Sequence, residues 1–268
     1  MTITKNANRY LWIAYTAARS NLAYSGEVIY RGSFLTIILY IFLRLWKVVY
    51  AGTGEDRVGG LTLPQMVWYL VITEAIYLSA PRVASEVDED VRTGRLAVHL
   101  IRPLSYAGGH FSRAMGDRAV RFAINLAVGS VLALILVGPI PIRVSGIVMF
   151  FATLPAAFLL DFLGMFLIGL CAFWLESTAG LALIYTRTVM MFGGMFLPLA
   201  IYPAALQPIL KVLPFASMLS APGVMFVNPS LLLLRESILI QGAAVAVFMV
   251  MVAIVQFVAM RRLFSNGG

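Results

Sequence analysis

The chain has 268 residues, of which 61% are apolar and 12% charged, with a formal charge of +8 and a mean hydropathy of +0.91. Such values lie outside the range of water-soluble domains and define an integral membrane protein. At roughly 20 apolar residues per bilayer crossing, the length has room for about six helices with short connections, and one membrane domain without a separate soluble domain is expected.

In chain order, residues 5–24 place Ala7, Leu11, Ala14, Ala18 and Leu22 on one side of a helical wheel and Lys5, Arg9, Thr16, Arg19 and Ser20 on the other. That pattern predicts a helix lying along the membrane surface. No continuous apolar core with a small-residue cleavage site occurs there, so no removable signal peptide is expected. A first span is predicted over 28–50, with Arg44, Trp46, Lys47 and Tyr50 toward its far end, where basic stems and aromatics suit the interface. A polar turn over 52–60 leads to a second span, 63–83, which carries Glu74 near its middle. A charged segment, 86–105, follows. Arg113, Arg118 and Arg121 lead into a third span, 112–137. Gly138-Pro-Ile-Pro141 cannot continue a helix and makes a tight connection to a fourth, 144–173, which contains Pro155 and Asp161. A fifth span, 181–197, holds Arg187 and reaches Gly193-Gly194. Residues 198–229 are apolar but carry Pro198, Pro203, Pro208, Pro214, Pro222 and Pro229, so a straight helix is excluded. Irregular backbone at membrane depth must be buried in protein or line a wet cavity, which predicts two short re-entrant helices here. The last span is 237–260, ending at Arg261-Arg262. The expected fold is thus all-α, one transmembrane domain of six spans.

Basic residues cluster in the N-terminal segment, in 82–121 and in the tail, whereas the alternate loops offer chiefly Arg57, Arg143, Lys211 and Arg235. This asymmetry predicts that both termini are cytoplasmic. It also accounts for the net charge as a basic surface against anionic lipid, without nucleic acid.

Residues 86–105 are the best clue to function, since a charged amphipathic segment between apolar spans can touch a soluble partner. The ordinary reading is a solvated loop. The functional one places Leu96, Leu100 and Ile101 on a face that inserts into a partner's groove, with Glu86, Asp88, Glu89 and Asp90 meeting basic groups there and Gly94 turning the chain between the halves. Glu74 and Asp161 are costly at mid-depth and call for partners. Similar depths suggest a structural pair of Arg44 with Glu74, while Arg187 would reach the interface or pair with Asp161 or Glu176. The functional alternative is an ion-coupled secondary transporter carrying protons on Glu74 or Asp161, or a cation site along a translocation path. His99 and His110 are too isolated for a metal site and read as helix-surface residues. Cys171 reads as a small buried hydrophobe. Met190, Met191, Met195, Met218 and Met225 read as packing residues, with a pliable substrate surface as the alternative. No Gly-x-x-x-x-Gly-Lys-Ser/Thr phosphate loop is present, so the chain cannot hold ATP by that device.

The run Arg92-Thr-Gly-Arg-Leu96 into Ile101-Arg-Pro-Leu104, followed by Phe196-Leu-Pro-Leu-Ala-Ile-Tyr-Pro203 into Leu213-Pro-Phe215, resembles the permease subunits of type-2 ATP-binding-cassette exporters. It is most similar to their short-loop branch of viologen or antibiotic exporters. The resemblance implies a half-transporter in a bacterial plasma membrane that pairs with a second copy or a related permease. It also implies two separate ATPase subunits, which bind the ATP and Mg and dock on the 86–105 segment. The cargo would be a hydrophobic or amphiphilic small molecule, a drug, antibiotic or lipophilic cation.

Overall fold

The computed structural model describes residues 2–22, 25–101 and 104–266, with side chains over 7–21, 34–98 and 104–261. Among them are twelve α-helices: α1 (Thr2–Leu22), α2 (Ser25–Thr53), α3 (Leu63–Leu78), α4 (Val83–Arg92), α5 (Arg95–Ile101), α6 (Tyr106–Val137), α7 (Val144–Leu170), α8 (Ala179–Phe192), α9 (Gln207–Val212), α10 (Pro214–Met218), α11 (Ser220–Val227) and α12 (Leu231–Asn266). Single 3-10 turns occupy Cys171–Phe173 and Leu199–Ile201. Among the described residues, four stretches are long and apolar enough to cross a membrane: Phe34–Thr53, Tyr106–Val137, Val144–Phe173 and Leu231–Arg261.

Helix α3 is the centre of the bundle. Thr62 and Gln65 form a reciprocal capping box at its start, and Pro64 sits in the first turn, where its missing N–H is harmless. Every residue from Met66 to Ile76 is buried, because α2, α6 and α11 cover it on different sides. At 16 residues it is about 24 Å long at ~1.5 Å per residue, shorter than the 63–83 span expected. Pro81 prevents helix continuation, and the chain restarts as α4. Helix α2 supplies the stripe Leu35, Leu39, Leu43 and Trp46 to the same core.

Contacts between elements define two ends. At one, Gln65 Nε2 donates to the Val227 carbonyl (3.0 Å) and Trp68 Nε1 to that of Gly138 (3.1 Å), which joins the start of α3 to the α6–α7 turn and the end of α11. At the other, α4 packs on the C-terminal part of α7, and α1 lies along the first turns of α6. Gly116 lets the Ala14 backbone come so close that a Cβ at position 116 would overlap it. The side of α1 turned inward includes Tyr10, Ile13, Ala14 and Ala17, while Leu11, Trp12 and Tyr15 face outward. The helix is therefore rotated from the expected wheel, in which Leu11 shared the apolar face.

Helix α8 has 14 residues and stops at Gly193. Beyond it Gly194 takes a φ of +75°, and its carbonyl accepts the Tyr69 hydroxyl. Thr73 Oγ1 donates to the Met195 carbonyl at 3.1 Å. Because Tyr69 and Thr73 lie midway along α3, α8 ends inside the bundle, short of residue 197 where the expected fifth span closes. The following segment forms the 3-10 turn and α9, α10 and α11 instead of two helices. Its α10 and α11 pack against α3, α7, α8 and α12, so protein encloses that part of the irregular backbone, whereas most of 203–212 is exposed. Helix α12 begins at Leu231, six residues before the expected 237; Arg235 and Glu236 are helical.

Outward faces are apolar. Only 22% of the α2 span and 11% of the α12 span are buried, and Ile37, Ile41, Val48, Val250, Ile254 and Phe257 are all exposed. Such surfaces suit lipid or another apolar helix, not water. The chain is an all-α integral membrane protein.

Candidate functional site: the charged platform and the buried ion pair

Residues 83–101 fold as two short helices at a sharp turn. Thr93 closes α4 with its N–H and hydroxyl on the Glu89 carbonyl (2.9 and 2.7 Å). Gly94 then adopts φ +71°, which a side chain would strain, and α5 leaves in a new direction. Four carboxylates on α4 divide between inside and outside. Asp90 is nearly buried: its Oδ2 meets His110 Nε2 (3.1 Å) and accepts from the Tyr106 hydroxyl (3.2 Å), while Oδ1 faces Arg95 Nε at 3.3 Å. Glu86 Oε2 lies 3.8 Å from both His110 Nδ1 and Arg113 Nε. Asp88 accepts the Thr178 backbone N–H at 3.0 Å and pairs with Arg92 at 3.6 Å, tying α4 to the loop before α8. Glu89 points outward and pairs with Arg95 at 2.8 Å.

Apolar residues fasten the same unit. Val83, Val87 and Leu96 enter a cluster with Tyr106, Ala114, Phe162 and Phe166. Gly169 on α7 accommodates Val87; a Cβ there would sit 2.6 Å from the valine Cβ and 3.1 Å from the Ala84 carbonyl. Two cavities flank the platform: one of about 360 Å³ beside Asp90, Arg95, Tyr106 and His110, and an open groove of about 910 Å³ between α1 and α6, reaching Arg82, Arg113 and Arg121.

These positions correct several expectations. Leu96 is 1% exposed, so it holds the platform to its own chain and is not part of an outward docking face; one apolar residue on a short helix looks the same in sequence whether its groove is internal or a partner's. The side chains of Leu100 and Ile101, and of His99, lie outside the described residues. Asp90 and, in large part, Glu86 are engaged internally, and His110 is enclosed between Asp90, Tyr106 and Phe166 instead of lying on a helix surface. The outward residues include Glu89, Arg92, Thr93, Arg95 and Val98.

Intramembrane charges also pair differently from expectation. Arg44 is exposed: its Nε donates to the Tyr40 hydroxyl at 3.1 Å and its guanidinium lies 5.4 Å from that ring. Glu74 is fully buried, and neither carboxylate oxygen has a hydrogen-bond partner among the described residues. Depth matched these two residues, but rotation separates them, since α2 directs Leu39, Leu43 and Trp46 inward and so turns Arg44 away. Asp161 pairs with Arg118, not Arg187: Nη1 to Oδ2 is 2.6 Å, Nη2 donates to the Ile76 carbonyl at 3.3 Å, and the guanidinium lies 4.2 Å from the Phe158 ring centre. Arg187 is exposed beside the Met190 sulfur at 3.7 Å. Arg118, expected only at the entrance of the third span, is the buried partner. A signal was present, because Arg118, Phe122, Asn125, Gly129 and Ala133 form one buried stripe at helical spacing. Among the methionines, Met195, Met218 and Met225 are core residues, whereas Met191 is exposed.

A bundle with lipid-facing helices, a braced charged platform at one end and an irregular Pro-rich segment at the other is that of a multi-pass membrane protein. The chain belongs to the ABC-2 family of transporter proteins, whose family model matches residues 34–267 and leaves α1 outside the match. A comparison with curated proteins gives no match. Membership makes this chain the membrane subunit of an ATP-binding-cassette transporter, associated with ABC ATPase subunits and not itself an enzyme.

Proposed function

We propose that the chain is half of an exporter for hydrophobic or amphiphilic small molecules, working with two ATPase subunits that bind ATP and Mg, and with a second copy or a related permease. The end bearing α1, α4 and α5 faces the cytoplasm of a bacterial cell, with both termini. The observation that carries this reading is the construction of the platform. Its inner side is fixed to α6, α7 and the loop before α8 by Asp90, Val87 and Asp88, while Glu89, Arg92, Arg95 and Val98 remain on the surface. A partner pushing on that surface moves three helices together, as coupling between distant sites requires a physically connected element.

The ATPase contacts are therefore assigned to these outward residues. Val98→Asp combined with Arg92→Glu is expected to lower ATPase co-purification by about tenfold or more, because a charge in an apolar contact is left unpaired. Glu89→Lys is expected to weaken it less and in a salt-dependent way, since rim charges are screened. Undiminished co-purification of the double variant, at normal membrane levels, would remove the docking assignment.

Sidedness has its own test. In a Cys171→Ala background, cysteine at Thr53 is expected to react with an impermeant thiol reagent added to intact cells, and cysteine at Thr93 only after the membrane is opened. The reverse pattern would invert the topology.

A further inference from the structure

At the end opposite the platform, a cavity of about 260 Å³ opens between the 3-10 turn at Leu199–Ile201, helices α9 to α11 and the first turns of α12. Its walls are largely apolar, with Leu61, Leu199, Val224, Met225, Leu233 and Ile240 among them. Lys211 on α9 and Glu236 on α12 line the same cavity. Both are exposed, and among the described residues neither has an ion-pair or hydrogen-bond partner. A cation and an anion thus border one apolar hollow without closing on each other.

The hollow is built from fixed parts. Gln241, 1% exposed, donates from Nε2 to the carbonyls of Ser217 (2.9 Å) and Thr153 (3.1 Å), which holds α12 to α10 and α7 at the floor. Across the cavity Gln207 Nε2 donates to the carbonyls of Tyr202 (2.8 Å) and Ala200 (3.2 Å) and pins the 3-10 turn. The size is just under the range typical of small-molecule pockets, roughly 300–1,000 Å³, and apolar walls with a few placed polar groups are their usual lining. Because walls already held by hydrogen bonds need little ordering on binding, the cost of forming the site has largely been met in folding.

We propose that this cavity binds a zwitterionic amphiphile, its apolar body against Leu199, Val224 and Leu233 and its head spanning Lys211 and Glu236. Anionic group to Lys211 and cationic group to Glu236 is the only assignment that pairs all four charges. A singly charged amphiphile would satisfy one side chain and leave its own charge facing the like-charged other. The inference adds a ligand class to the amphiphile reading above, and its test involves neither ATP nor the ATPase, so the two can fail separately.

The full chain carrying Cys171→Ala and Ser237→Cys is placed in nanodiscs of phosphatidylglycerol alone, since Ser237 lines the cavity. Maleimide reaction at position 237 is then followed with dodecylphosphocholine, dodecyl sulfate or dodecyltrimethylammonium added below micellar concentration. Dodecylphosphocholine is expected to protect the thiol at lower concentration than either singly charged probe. Lys211→Ala and Glu236→Ala should each raise its half-protecting concentration by about three- to fivefold, the range for partly exposed ion pairs, whereas Lys211→Arg and Glu236→Asp should stay close to the parent. Unfolding temperatures of the variants separate this from misfolding. Replacing part of the phosphatidylglycerol with phosphatidylethanolamine identifies the source: protection by lipid alone means a resident phospholipid, and none means a soluble amphiphile. Equal protection by all three probes, or an unchanged response in both alanine variants, would overturn the proposal.

Discussion

Arg118→Met is expected to destabilise the protein by about 3–5 kcal/mol, because it leaves the Asp161 carboxylate buried without its partner. Arg118 is 2% exposed and Asp161 10%, so water cannot take over the lost contact at either group. The guanidinium also bonds the Ile76 carbonyl and lies over Phe158, which links α3, α6 and α7 through one side chain. The double variant Arg118→Met with Asp161→Leu removes both charges, and well-packed apolar replacements of buried pairs are often neutral or stabilising. Recovery of most of the loss is therefore expected. Thermal unfolding of the purified chain in nanodiscs, with membrane abundance as a second readout, measures both variants. A single variant as stable as the parent would show that the pair does not hold the bundle. A double variant that is stable but transports poorly would assign the pair a role in the transport cycle as well.

The membrane class and all-α architecture were legible in composition and hydropathy, since lipid admits few alternatives. The residues whose burial follows one helix's own periodicity were also within reach: Leu35, Leu39, Leu43 and Trp46 share a face on any helical wheel. What the sequence did not show was which faces meet. Arg44 and Glu74 match in depth, yet depth along a helix says nothing of rotation about it, and rotation is set by packing. The same problem misplaced Leu96. It is buried in a cluster with Tyr106 on the next helix and with Phe162 and Phe166 on the more distant α7, and nothing in residues 86–105 distinguishes that internal groove from a partner's. Gly94 was readable because its requirement is local: a turn between two helices needs a residue that tolerates positive φ. The Pro-rich segment was readable as irregular, but its division into a 3-10 turn and three short helices depends on contacts with α3, α7, α8 and α12. Helix α8 illustrates the limit. Its apolar run continues beyond Gly193, and it ends there because Gly194 and Met195 find partners in Tyr69 and Thr73.

If the platform transmits force through α7, loosening its seat should separate binding from transport. Gly169→Val puts a branched side chain where Val87 already lies, and even a Cβ would be 2.6 Å from the valine Cβ. Overpacking of this kind typically costs about 1–3 kcal/mol and is relieved by movement of the less anchored element. That element is α4, a ten-residue helix, and not the long α7. The outward residues Glu89, Arg92 and Val98 are retained, so the ATPase should still co-purify. Transport should fall by about tenfold or more, since a displacement of roughly 1 Å in a positioning element can cost far more than the contact itself. Gly169→Ala alone should show a milder loss, and adding Val87→Ala should restore it by returning the volume that the alanine takes. Co-purification, ATP hydrolysis and transport of reconstituted complexes form the set of measurements. Loss of ATPase binding in Gly169→Val would mean that the platform's surface depends on its seat. Normal transport in that variant would mean that movement reaches the membrane helices by another route, with the links from Asp90 to His110 and from Asp88 to Thr178 as the remaining connections.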